Sequence, residues 1–291
     1  MKKFIILSLA ALLAVSVSCK KDDKPANGDT GNNDAPEIIV PEEAVDLGMV
    51  LPRLDDEGNP LKDEQGNEIT YKLYWAKSNL CETGLCAKPG DYGDYYAWGE
   101  TEPYYEDGYS QVNPCINWRV REDHPITGYN WVSYKFRTSG DSDENVILSK
   151  YNTMDSVGPV DNITELQRGE KTGETEDDAA HAILKGKWRM PTKVELTALL
   201  ALNWAWTRNN GIKGRLVTAD NGNSIFLPAA GNKDGAYLED AGIYGLYWSS
   251  SLLTDDPRRA KGVVFYSDDV YLGAGYRNYG FSIRPVWEGQ P

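Results

Sequence analysis

Histidine is nearly missing from this chain: two occur among 291 residues, beside four cysteines, four methionines and five phenylalanines. His124 stands before a proline in a charged stretch and His181 sits inside a helical pattern. Neither has the surroundings of a general base for a serine or cysteine nucleophile, so no catalytic residue is expected. The same scarcity removes the ligands of a zinc site, and no cysteine pair has Cys-x-x-Cys spacing, so neither metal nor cofactor is expected. Basic residues are also short, with 30 Lys and Arg against 44 Asp and Glu and a formal charge of −14. No Lys/Arg cluster exceeds short pairs, which argues against a nucleic-acid backbone or an anionic membrane face as the main partner. Asp255-Asp256 and Asp268-Asp269 fall in turns between strand patterns and read as solvated acids rather than a Ca²⁺ or acid/base pair. What the chain does hold is amphipathic aromatic surface, nine Trp and 18 Tyr. Such rings serve half-wet binding faces as well as cores.

Apolar runs long enough to concern a membrane are confined to the start. Lys2 and Lys3 precede the run from Phe4 to Val17, which is too short to span a bilayer and reads as a signal peptide over residues 1–18. Val15-Ser16-Val17-Ser18-Cys19 resembles a bacterial lipobox, which would make Cys19 the lipidated first mature residue. Lys20-Lys21-Asp22-Asp23 resembles the short export tag of surface lipoproteins in the Bacteroidetes. The expectation is an outer-membrane lipoprotein exposed on the cell surface, touching the membrane through its N-terminal lipid only. Residues 19–38, rich in Lys, Asp, Asn, Gly and Pro without periodicity, read as a flexible tether, and 39–291 as a single domain. Beyond Cys19 three cysteines remain. Cys81 and Cys86 close a small loop and form the first-choice disulfide, with either one bonded to Cys115 as the alternative.

Strand signals open the domain at Val45–Leu51. Two turn signals, Asp56-Glu57-Gly58-Asn59 and Gln65-Gly66-Asn67, then lead into Thr70–Trp75. Residues 90–140 read as long ordered loops packed by their own aromatics. Thr175-Glu176-Asp177-Asp178 and Thr192-Lys193-Val194-Glu195 each announce a helix. The first carries Ala179, Ala180, Ile183 and Leu184 up to Gly186, and the second Leu196, Leu199, Leu200 and Trp204. Strand patterns follow: Arg215–Thr218 and Ser224–Leu227 as a hairpin, then Tyr247–Ser250, Gly262–Tyr266, Val270–Leu272 and Phe281–Val286. Loops, two helices and an antiparallel series indicate an α+β domain.

Several stretches together resemble one family. They include Tyr92-Gly93-Asp94-Tyr95-Tyr96-Ala97-Trp98-Gly99-Glu100-Thr101, Trp188-Arg189-Met190-Pro191-Thr192, Ser224-Ile225-Phe226-Leu227-Pro228-Ala229-Ala230-Gly231, Tyr247-Trp248-Ser249-Ser250-Ser251 and Gly280-Phe281-Ser282-Ile283-Arg284-Pro285-Val286. In this order they resemble the Fibrobacter succinogenes major paralogous domain family, over most of residues 45 to 287. The resemblance implies a C-type-lectin-like domain, with two helices packed on a small, mainly antiparallel sheet and long ordered loops. It also points to the C-terminal stretch as a ligand face. There the chain supplies Arg258, Arg259, Tyr266, Asp268, Asp269, Tyr271, Tyr276, Arg277, Asn278 and Tyr279, residue types that bind well from preset loops. The expected function is a non-enzymatic, lipid-anchored surface protein that binds a protein or glycan. A structural or accessory subunit of a fimbria-like surface assembly is the competing class. The stretch Tyr104–Tyr109 is the second candidate face.

Overall fold

Two strands that alternate inward apolar and outward polar residues start the domain. Leu47 and Met49 of β1 (Ala44–Pro52) and Tyr71, Leu73 and Trp75 of β2 (Thr70–Ala76) are buried on one side of an antiparallel pair. The computed structural model describes residues 39–55, 58–104 and 128–290. The signal and tether assignments, Cys19, Cys115, His124 and residues 105–109 lie outside them. Between β1 and β2 Leu54 is bridged to Pro60 and Lys62 to Glu68. The chain continues through β3 (Leu80–Cys81), β4 (Gly84–Leu85), β5 (Arg137–Ser139), β6 (Ile147–Leu148), α1 (Ala179–Leu184), β7 (Trp188–Arg189) and α2 (Lys193–Leu200). It ends in β8 (Asn203–Asn209), β9 (Ile212–Thr218), β10 (Ser224–Pro228), β11 (Asn232–Asp234), β12 (Tyr237–Glu239), β13 (Gly245–Leu252), β14 (Arg259–Phe265), β15 (Val270–Tyr276) and β16 (Val286–Gly289).

These elements make an α+β domain with few helices and several small antiparallel sheets rather than one. The larger sheets have the orders β1-β2-β16-β7, β10-β9-β8 and β13-β14-β15. In the last sheet β13 and most of β14 are buried on both faces, while β15 is half-exposed. Leu246, Trp248 and Val264 enter one core, while Tyr247, Val263 and Phe265 enter another that holds Leu196 and Leu199 of α2. That is why Tyr247–Ser250 and Gly262–Phe265 read as continuous rather than alternating patterns. The C-terminal segment crosses the domain: Phe281 and Ile283 sit in the first core, Val286 in the second, and β16 lies between β2 and β7.

The two helices differ from expectation in instructive ways. Thr192 caps α2 as the sequence indicates, its hydroxyl accepting from the Glu195 N–H while Glu195 Oε2 accepts from the Thr192 N–H at 2.7 Å. The helix ends at Leu200, however, and Trp204 belongs to β8, where its ring contacts Phe265 at 5.9 Å. Helix α1 is capped by Asp178, which accepts from the His181 N–H, and not by Thr175. Asp177 is buried and accepts from Lys135 Nζ and Lys150 Nζ, each at 2.6 Å, and from the Tyr151 hydroxyl at 2.7 Å. Burial alone would raise this carboxyl, but these donors hold it below its ordinary range. The disulfide is Cys81–Cys86, joining the ends of the β3–β4 hairpin.

Candidate functional site

The β14–β15 ladder sets out the expected ligand residues. It pairs Arg259 with Tyr276 at one end and Phe265 with Val270 at the other, a separation of about 20 Å at strand rise. The stretch from 258 to 279 therefore forms two groups rather than one face. At the first end Arg258 donates from Nε to Asp256 Oδ1 (2.7 Å) and from Nη1 to the Asp143 carbonyl (2.6 Å). The Arg259 guanidinium lies 4.5 Å from the centre of the Tyr276 ring, which also meets Trp131 (6.3 Å) and Tyr279 (5.9 Å) edge-on. Both arginines here have local partners, so they shape this end more than they advertise free charge.

Arg277 and Asn278 are corrections. Arg277 is fully buried, with Nε on the Tyr134 hydroxyl (2.8 Å) and its other nitrogens on the carbonyls of Lys150, Tyr151 and Pro257. The rings of Trp98, Tyr134, Phe136 and Tyr151 surround its guanidinium at 4.9 to 5.8 Å. A planar fork with several donors can saturate a buried turn of backbone, and here that use replaces surface binding. Asn278 is also buried, its Oδ1 without a hydrogen-bond partner among the described residues. Tyr104, of the second candidate stretch, is buried with its hydroxyl on Glu100.

At the second end the rings do reach solvent. Tyr266 and Tyr271 are 37% and 43% exposed, and Asp268 and Asp269 lie in the exposed turn between them. Tyr266 stacks on Tyr244 with centroids 5.3 Å apart and planes 21° from parallel, and the Tyr244 hydroxyl is fastened to Asn232. Tyr244 also feels the charges of Asp240 and Glu239, and Tyr279 those of Asp234 and Glu239. A row of three tyrosines, Tyr244, Tyr266 and Tyr271, thus lies at this end beside Asp240, Asp268 and Asp269. Burial pushes the Tyr279 phenol up to about 12, with Asp234 adding to the shift through its charge and a hydrogen bond. Carboxylate acceptors and exposed ring faces suit a polar ligand held by stacking and hydrogen bonds.

Tyr237, Ile243 and Tyr244 were not foreseen in this region, although Gly235 and Gly242 in left-handed turns frame them as an exposed hairpin. Tyr237 and Ile243 are 75% and 57% exposed. His181 Nδ1 lies 2.6 Å from Glu176 Oε2, with no serine or cysteine joined to the ring among the described residues. No group of three His, Cys, Asp or Glu side chains there could hold a metal ion, and no described helix is long and apolar enough to cross a membrane. Compared with models of known protein families, with curated proteins and with solved structures, the chain matches none.

Proposed function

We propose that this chain is a non-enzymatic, lipid-anchored protein of the outer cell surface, built on a C-type-lectin-like domain, that binds a protein or glycan through its tyrosine row. The observation that carries the reading is the stack of Tyr244 on Tyr266 beside exposed Tyr271, with Asp240, Asp268 and Asp269 around it. Three rings held at a hairpin end lose little rotamer freedom on binding, which favours their use as anchors. The test is a glycan array together with capture from host and bacterial surface extracts, using the full chain. Replacing Tyr266 and Tyr271 by Ala is expected to weaken the ligand found at least about tenfold. The melting temperature should move by about 2 °C or less, because neither ring is buried. Unchanged binding by a folded double variant would remove the tyrosine row from the site.

The anchoring half of the reading has its own check. Cys19→Ser is expected to release the protein from the membrane fraction into the soluble fraction. Membrane retention by that variant would remove the lipoprotein assignment.

A further inference from the structure

The β8–β9 hairpin gathers positive charge that the rest of this acidic chain does not need. Its tip is Asn210-Gly211, both at positive φ (47° and 87°), the signature of a two-residue type I′ turn. That turn fixes the register, setting Arg208 directly opposite Lys213, Trp206 opposite Arg215 and Trp204 opposite Val217. Because side chains alternate along strands, all six share one face. The face runs from the core at Trp204 and Val217 out to two cations at the tip. Like charges paired across an antiparallel ladder are unfavourable unless an anion or another partner lies between them. Among the described residues Arg208 is tied only to the Gly211 carbonyl, by Nη1 at 3.1 Å. Lys213 has no ion-pair partner among the described residues. Trp206, Thr207, Arg208 and Lys213 line a groove of about 360 Å³. Beside it on the same face Arg215 has its guanidinium 6.0 Å from the Trp206 ring and its donors on the carbonyls of Trp204, Tyr266 and Asp269. The acids facing Arg215 are Asp268 and Asp269, whose charges it feels.

We infer that this groove binds an anionic sugar unit. Trp206 is half-buried, so one part of its ring is a fixed apolar platform for the flat face of a sugar. The guanidinium fork of Arg208 and the ammonium of Lys213 match a carboxylate or sulfate substituent on the same ring. The groove is open to solvent and lined by four residues, which suits a single sugar unit lying along its wall. An acidic peptide would be better served by cations spaced along a strand, whereas these form a single cross-strand pair beside one indole. The groove adjoins the tyrosine row through the bonds of Arg215 to the Tyr266 and Asp269 carbonyls, but it uses different side chains and does not rest on that reading.

The test titrates the full chain with polygalacturonate, dextran sulfate, neutral dextran and polyglutamate. Binding to the carboxylated or the sulfated polysaccharide, weakened by salt, is expected, and the pair tells which anion the groove prefers. Neutral dextran should not bind. The double variant Arg208→Gln, Lys213→Gln should lose at least about tenfold in affinity, since two charge-assisted contacts go. Trp206→Ala should lose a similar factor, and Trp206→Phe should recover part of it, which guards against a folding effect of the smaller residue. Tyr266→Ala with Tyr271→Ala should leave this binding in place, so that failure of the tyrosine row and failure of the groove are told apart. Absence of binding to both anionic polysaccharides, equal binding to polyglutamate, or affinity untouched by the groove variants in folded protein would each overturn the inference.

Discussion

Arg277→Ala is expected to destabilise the protein by about 4 kcal/mol or more, lowering its melting temperature on the order of 10 °C for a domain of this size. The side chain is fully buried and all its acceptors are neutral: the Tyr134 hydroxyl and the carbonyls of Lys150, Tyr151 and Pro257. Truncation strips these buried acceptors of a donor and leaves a void among Trp98, Tyr134, Phe136 and Tyr151. Either loss alone costs a few kcal/mol in a packed interior. Arg277→Lys should recover little of this, because one ammonium cannot reach acceptors on three sides of a planar fork. Thermal denaturation followed by circular dichroism decides the matter. A variant that melts within about 2 °C of the parent would show that the cage closes without its guanidinium.

Arg277 also marks where the sequence misleads. Tyr276-Arg277-Asn278-Tyr279 has the composition of a binding loop, and nothing in four residues tells an Arg that faces water from one that ties three chain segments together. Burial depends on residues more than a hundred positions away, here Tyr134, Lys150 and Tyr151. Exposure was legible only where a turn signal stood close by, as at Tyr266 and Tyr271 around Ser267-Asp268-Asp269. The stretches that carry the family resemblance are mostly interior. Trp98 donates to the Ser249 carbonyl, Trp248 to that of Tyr96, and Arg284 to Asn79, Ala76 and Phe226. Gly99, at φ +80°, has the Phe136 ring 2.6 Å from where a Cβ would stand. These motifs encode how loops lock against sheets, which is why they speak to architecture and leave the ligand unnamed.

Elements with complete local signals were legible. Thr192 and Glu195 cap α2, and Asp220-Asn221-Gly222-Asn223 turns between β9 and β10. Where two signals competed, the wrong one was taken. Trp204 continues the helical spacing of Leu196 and Leu200, but Trp204-Ala205-Trp206 is equally a strand alternation, and the type I′ turn at Asn210-Gly211 decides for the strand. That choice hid β8 and with it the cationic groove. Thr175-Glu176-Asp177-Asp178 signals a helix start, yet Asp178 rather than Thr175 caps α1, accepting from the N–H groups of His181 and Met190, while Asp177 pairs with Lys135 and Lys150.

Glu195→Ala should cost about as much as the loss of Arg277, through a different mechanism. Glu195 is completely buried and makes a two-pronged contact with Arg189, Nη1 to Oε2 at 2.7 Å and Nη2 to Oε1 at 2.5 Å. It also accepts from the Tyr71 hydroxyl at 2.7 Å and from the Thr192 N–H in the cap of α2. One side chain thus joins β2, β7 and the start of α2. Removing it strands the Arg189 charge in the interior, with Glu288 at 3.3 Å as its remaining acid. Breaking a buried pair from one side costs about 3 to 5 kcal/mol. Burial on its own would raise the Glu195 carboxyl, but Arg189 and the Tyr71 and Thr192 donors hold it below the ordinary carboxylate range. A depressed folded-state pKa gives stability that is present above the unfolded value, near 4.3, and is lost as pH falls through the folded one. Glu195→Gln should therefore be less stable than the parent at neutral pH, and the gap should narrow below about pH 4, where Glu195 of the unfolded parent takes up a proton that the folded state still refuses. Urea denaturation of both proteins from pH 7 down to pH 3 measures that gap. A difference that stayed constant over the range would show that Glu195 acts through its shape and hydrogen bonds alone, not through its charge.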